Sequence, residues 1–143
     1  MSPDALSICL KTYNQEGIDY VIVGLTVDHT PLADFSYYAT DLAELTRSLN
    51  QSGEFFILTC WCGAPECVGI GRGVLVRHEG NQIHWQILAP FPHNEYIFNR
   101  DAVQDALVVL QKDIKRFVAQ RNYFDKTPYS VVPVDNEAYF RLG

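Results

Sequence analysis

Hydrophobic positions change their period several times along the chain. Near the start Leu6, Ile8 and Leu10 alternate with Ser7, Cys9 and Lys11, the two-residue rhythm of a strand with one buried face. Residues 14–17, Asn-Gln-Glu-Gly, carry turn chemistry before a second apolar run over residues 18–27, so a β-hairpin is expected. In that run Val21, Val23, Leu25 and Val27 share one face, and Tyr20 and Ile22 make the other face apolar too. A strand apolar on both sides is central and covered on both sides. His29-Thr30-Pro31 ends it. Over residues 36–50 the period lengthens: Tyr38, Leu42, Leu45 and Leu49 lie on one helical stripe, while Asp41, Glu44, Arg47 and Ser48 face away. Asp41 then falls in the first turn, where a carboxylate offsets the helix dipole, and Gly53 stops the helix.

Residues 55–60, Phe-Phe-Ile-Leu-Thr-Cys, form an apolar run expected to be one buried strand. Residues 71–78 and 82–88, joined by Glu79-Gly80-Asn81, predict a second hairpin with Ile83, Trp85 and Ile87 inward and Gln82, His84 and Gln86 on the wetter face. Pro90 and Pro92 disfavour a central strand, which leaves residues 95–98 as a short edge strand. The strongest element follows. Asn99 is a good N-cap, Asp101 fills the first turn, and Val103, Leu107, Leu110, Ile114, Phe117 and Val118 keep helical spacing for about five turns. Lys112, Lys115, Arg116 and Arg121 gather near its end, where cations offset the dipole, so they read as helix electrostatics and not as a phosphate site. The tail adds one strand around residues 130–134 and then frays. The element order implies a single α+β domain over residues 1–143, a mostly antiparallel sheet of about 5–7 strands with two main helices on one face.

Composition narrows the function classes. With 143 residues, 48% of them hydrophobic, the chain can bury one ordinary core and is neither disordered, collagen-like nor coiled coil. A formal net charge of −6 argues against a general binder of nucleic acid or anionic membrane, because such proteins displace counterions with a basic face. The whole imbalance is N-terminal: residues 1–60 hold eight acids against Lys11 and Arg47, and residues 61–143 carry nine charges of each sign. This is either a solvated surface that aids solubility or an acidic face, with Glu16, Asp19 and Asp28, for a basic protein partner. The first ten residues lack the basic start and apolar core of a signal peptide, and the apolar stretch over residues 21–27 falls far short of the ~20 residues of a membrane helix. A cytoplasmic location is therefore expected, where thiols stay reduced.

Three of the four cysteines, Cys60, Cys62 and Cys67, stand within eight residues at the mouth of the 55–60 strand. If strand geometry continued past Cys60, Cys60 and Cys62 would point the same way, and the turn Gly63-Ala64-Pro65 would fold Cys67 back toward them. Three readings stay open. The thiols pack as small hydrophobes; they hold a structural zinc ion, with His78, His84 or His93 completing the set; or Cys62 is a reactive thiol whose partner is His93 in the Pro-rich loop. A Cys60–Cys62 disulfide does not suit regular strand geometry. The glycines at 69, 71 and 73 lack phosphate-loop spacing and lead into a strand, so they read as a bulge or a close backbone contact.

The run Cys-x-Cys-Gly-x-x-x-Cys, then Val76-Arg77, Ile83-x-Trp85, Pro92-His93, Ile97-Phe98-Asn99-Arg100 and Ala106-Leu107, resembles a group of uncharacterised small bacterial proteins. The likeness covers residues 57–110. Trp61 and Glu66 stand where that group usually has glycine, and Asn99 where it has aspartate. The resemblance implies one α+β domain and singles out Cys60, Cys62, Cys67 and His93, and it implies no reaction. The expected role is a non-enzymatic, partner-binding domain whose Cys-rich turn is packed or holds a structural metal. The alternative is a thiol- or metal-dependent enzyme using Cys60, Cys62 and Cys67 with His93.

Overall fold

The computed structural model describes residues 3–88 and 94–141. The chain opens with strands β1, Leu6–Gln15, and β2, Ile18–Val27, paired antiparallel from Leu6 opposite Val27 to Gln15 opposite Ile18. Their two-residue turn puts both Glu16 and Gly17 at positive φ, which matches the twist of the flanking strands. The expected hairpin is therefore present. β2 is also central, with Val21, Ile22, Val23 and Leu25 almost fully buried. After the turn at Asp28 and His29 the two-residue strand β3, Thr30–Pro31, returns along β2.

Register fixes what each face meets. Leu6, Ile8, Val21, Val23, Leu25 and Val27 point into one apolar cluster. The opposite face carries Cys9, Tyr13, Tyr20, Ile22 and Gly24, and it is covered by irregular chain rather than by a helix: the Phe35 ring lies against Gly24, and Trp61 lies against Tyr13 and Tyr20.

Residues 36–50 correct the expected long helix. Asp34 captures the Ser36 backbone N–H and hydroxyl, and strand β4, Tyr38–Thr40, then pairs antiparallel with strand β6, Leu58–Cys60. Helix α1 begins only at Leu42, running Leu42–Ser48, because the Asp41 side chain caps it by accepting from the backbone N–H groups of Ala43 and Glu44. Tyr38 is thus on a strand. Ser48 is buried, not outward, and its hydroxyl donates to the Leu45 carbonyl.

The single strand expected over residues 55–60 is two. β5, Gly53–Phe55, joins a second sheet, and the chain changes sheets at Phe56 and Ile57 before β6. Ile57 is fully buried, and its carbonyl accepts the Asp41 N–H. The second sheet runs β5, β7 (Val74–Glu79), β8 (Gln82–Ile87) and β9 (Asn94–Asn99), all antiparallel. Ile83, Trp85 and Ile87 are buried as expected, and His84 and Gln86 line the open face. Gly73 is the close contact: a Cβ there would lie 2.9 Å from the Phe55 carbonyl oxygen. β9 is an edge strand of this sheet, joined from outside by Asp4, whose N–H donates to the Ile97 carbonyl.

Helix α2, Arg100–Tyr123, starts at the Asn99 cap and buries Val103, Leu107, Leu110 and Ile114. At 24 residues it outruns the five turns expected. Arg121 does more than offset the dipole. Its guanidinium bridges Asp19 at 2.8 Å and Asp125 at 3.0 Å and lies over the Phe117 ring, tying the end of α2 to the first hairpin. Strand β10, Tyr129–Val132, then pairs with β2, but in parallel, and a cis bond to Pro133 follows.

As far as Arg141, the last described residue, the tail does not fray. Helix α3, Glu137–Arg141, buries Phe140, and the buried Asn136 side chain accepts from the Leu42 N–H at 3.0 Å while donating to the Thr40 carbonyl at 2.7 Å. The described residues therefore form an α+β fold of ten strands in three sheets with three α-helices, rather than 5–7 strands with two helices on one face. The difference arises where side chains, namely Asp41, Asp34 and Asn136, supply backbone hydrogen bonds that spacing does not reveal. One cluster of buried side chains draws on both larger sheets and all three helices. No helix among the described residues is long and apolar enough to cross a membrane.

Candidate metal centre

The Cys-rich turn is built from the end of β6 outward. β6 stops at Cys60, and a tight turn follows in which the Gly63 N–H donates to the Cys60 carbonyl at 2.9 Å. Gly63 sits at φ +94, a left-handed conformation that a side chain resists. A single 3-10 turn over Pro65–Val68 then carries Cys67 back, and Gly69, at positive φ, ends it. Convergence of the thiols thus comes from a turn and a 3-10 turn, not from continued strand geometry past Cys60.

All three sulfurs lie within 4.8 Å of one another. Cys62 Sγ and Cys67 Sγ are 3.2 Å apart. Three corners of a tetrahedron with zinc–sulfur bonds of ~2.3 Å would stand about 3.8 Å apart, and no two sulfurs of the trio are more than 4.8 Å apart. Cys62 and Cys67 are exposed and Cys60 is half-buried. Packing as small hydrophobes therefore does not describe the two exposed thiols. It does describe Cys9, whose half-buried sulfur approaches the Gly24 carbonyl at 3.5 Å and whose thiol is pushed up by burial.

Electrostatics distinguish the members of the trio. The Ala64 N–H, and after it the thiols of Cys67 and Cys60, hold Cys62 below the ordinary thiol value. The hydrogen bond to Cys62, followed by that sulfur's negative charge, pushes Cys67 up to about 11. One thiolate is favoured and a second is opposed, which is the expected state of a thiolate cluster before a cation neutralises it.

The turn is anchored by a residue that the spacing of the cysteines does not draw attention to. The Trp61 ring centroid lies 5.7 Å from that of Tyr13 and 5.8 Å from that of Tyr20, and its Nε1–H donates to the Phe35 carbonyl at 3.0 Å. The sequence signal was present in the alternation Cys60-Trp61-Cys62, an aromatic flanked by the thiols. Beside the turn runs a groove of about 240 Å³ lined by Asp41, Glu44, Phe56, Thr59, Gly63, Pro65 and Glu66. The buried Thr59 hydroxyl beside it has no hydrogen-bond partner among the described residues.

The histidines expected to complete a ligand set do not join it. His78 is committed elsewhere, its Nε2 2.7 Å from the Ser48 carbonyl on α1. His84 stands on the open face of the second sheet, its Nδ1 3.3 Å from Arg77 and its Nε2 3.5 Å from Glu79. His93, also the expected partner of a reactive Cys62, lies outside the described residues, as do Pro90 and Pro92. Among the described residues the only His, Cys, Asp or Glu cluster with metal-binding spacing is Cys60, Cys62 and Cys67. These residues could hold a metal ion.

Of the acids expected to face a basic partner, Asp19 is bound by Arg121 and Asn14, and Asp28 accepts the Ala5 N–H at 2.9 Å. No family model matches the chain, and neither a curated protein nor a solved structure matches it.

Proposed function

We propose that this is a metal-binding protein of a reducing, cytoplasmic compartment, whose Cys60, Cys62 and Cys67 hold one zinc ion at the surface. The observation that carries the reading is the grouping of three sulfurs within 4.8 Å on an exposed, well-anchored turn. Thiolate donors suit zinc and other soft or borderline metals and disfavour calcium or magnesium. Three protein ligands leave a fourth position, filled by His93, by water or by a group from a partner. His93 would close the site as a structural one; water or an exogenous ligand would leave it open. The same cysteines are those singled out by the likeness to small bacterial proteins, which supports the reading. A non-enzymatic, partner-binding role accords with metal held on a surface turn. In that role Glu16, at the hairpin tip, is the one of the three named acids with no side-chain partner among the described residues, since Asp19 and Asp28 already serve the fold.

The thiol-enzyme alternative draws on one observation, an exposed Cys62 whose sulfur receives the Ala64 N–H. One experiment separates the two. Elemental analysis of freshly purified protein is combined with alkylation rates of all four cysteines before and after chelation. The metal reading expects about one zinc per chain, and Cys60, Cys62 and Cys67 that react quickly only once the metal is removed, with Cys9 slow throughout. Metal-free protein with one fast thiol, unchanged by chelation, would overturn it in favour of the nucleophile.

A further inference from the structure

The cysteine turn presents two sulfurs to solvent in direct contact with one another. Cys62 and Cys67 are both exposed, their sulfurs are 3.2 Å apart, and five positions of chain separate them. A disulfide needs the sulfurs at about 2.05 Å, so closure asks for a movement of about 1 Å. The connecting chain holds Gly63, and Gly69 follows Cys67, both at positive φ, so two backbone joints flank the segment that must move. Cys60 is less suited to either partner. It is half-buried at the end of β6, where its backbone is held in the ladder opposite Tyr38.

We propose that Cys62 and Cys67 form a reversible, peroxide-driven disulfide site. The steps balance. Hydrogen peroxide oxidises one thiol to a sulfenic acid with release of one water; the other sulfur then displaces hydroxide from that sulfenic acid, forming the S–S bond and a second water. Two electrons pass from the thiol pair to one peroxide. A thiol reductant reverses the change by exchange through a mixed disulfide. The proposal extends the metal reading: a disulfide removes two of the three sulfur donors, so oxidation and metal binding exclude each other, and metal protects the pair.

The test has two arms on the full chain. In the first, chelator-treated protein is exposed to hydrogen peroxide, free thiols are counted and peptides are mapped. The free-thiol count is expected to fall from four to two, with a Cys62–Cys67 link, Cys60 and Cys9 still alkylatable, and full recovery with dithiothreitol. The Cys60→Ser variant should form the same link, and Cys67→Ser should stop at a sulfenic or higher oxidised acid. Linkage through Cys60, links between chains, or oxidation to sulfinic acid with no disulfide would overturn the proposal. In the second arm, zinc-loaded protein should lose its zinc as the disulfide forms, and should oxidise at least 10-fold more slowly than the metal-free protein. Equal rates in the two forms, or zinc retained by the oxidised chain, would overturn the coupling. The arms keep the two readings apart: a metal-free protein that still forms the link removes the zinc reading alone, and a zinc-binding protein whose chelated form makes no link removes this proposal alone.

Discussion

Trp61 offers the sharpest structural test of the cysteine turn, because it stands between Cys60 and Cys62 and its contacts with Tyr13, Tyr20 and Phe35 hold the chain that carries them. Its ring pairs with Tyr13 and Tyr20, and its Nε1–H donates to Phe35. Each aromatic pair contributes about 0.5–1.5 kcal/mol beyond area burial, and the hydrogen bond about 0.5–1.5 kcal/mol. Removing all three in Trp61→Ala therefore withdraws roughly 1.5–4.5 kcal/mol of anchoring. Part of that loss falls on global stability and part on the order of the turn. Residues that orient ligands from outside the coordination sphere typically change metal affinity by about 10–100-fold, equivalent to about 1.4–2.8 kcal/mol. Competition with a chromophoric chelator at fixed pH should show zinc affinity falling in that range for Trp61→Ala. Trp61→Phe keeps a ring but loses the indole donor, and should fall by less than about 10-fold. A folded Trp61→Ala protein with wild-type zinc affinity would refute the argument that this anchor organises the thiols.

Two further outcomes test the fold that holds the site. Asn136→Ala leaves the Leu42 N–H and the Thr40 carbonyl buried without their partner, and should cost about 2–4 kcal/mol in chemical denaturation at unchanged m-value; a loss below about 1 kcal/mol would contradict the bridging role. Glu54 is held below its ordinary value of 4.5 by the Gly73 N–H and then by Arg72. The unfolded chain therefore takes up this proton more readily than the folded one. The stabilisation is present above the unfolded value and is lost as pH falls through the lower folded value. Glu54→Gln should flatten the fall in Tm below pH 4.5 relative to wild type, and parallel curves would contradict the assignment.

Local signals carried the reading where the structure is local. The two hairpins, the centrality of β2 and the capped helix α2 are all set by alternation, turn residues and an N-cap within one element. Failures fall where distant chain decides. Tyr38 fits a helical stripe by spacing, but pairing of β4 with β6 and the cap at Asp41 withdraw it from the helix. The change of sheet at Phe56 and Ile57 lies inside an unbroken apolar run and leaves no mark in it. The tail is ordered by one asparagine reaching 94 residues back to Leu42, a contact that sequence spacing cannot show. The site divides in the same way. The grouping of Cys60, Cys62 and Cys67 was legible from spacing, whereas the histidines were not, because proximity of His78 and His84 depends on which sheet and which face each occupies.

In the proposed centre, the three thiolates of Cys60, Cys62 and Cys67 hold one metal ion. Titration of the reduced protein with cobalt, a spectroscopic stand-in for zinc, measures it most directly by reading the sulfur-to-metal charge-transfer band and the visible bands of tetrahedral cobalt. Saturation is expected at about one cobalt per chain, with displacement by zinc and a charge-transfer band weakened by Cys60→Ser, by Cys62→Ser and by Cys67→Ser but unchanged by Cys9→Ser. Absence of a cobalt–thiolate band, or a band that survives all three serine variants of the turn, would contradict that centre.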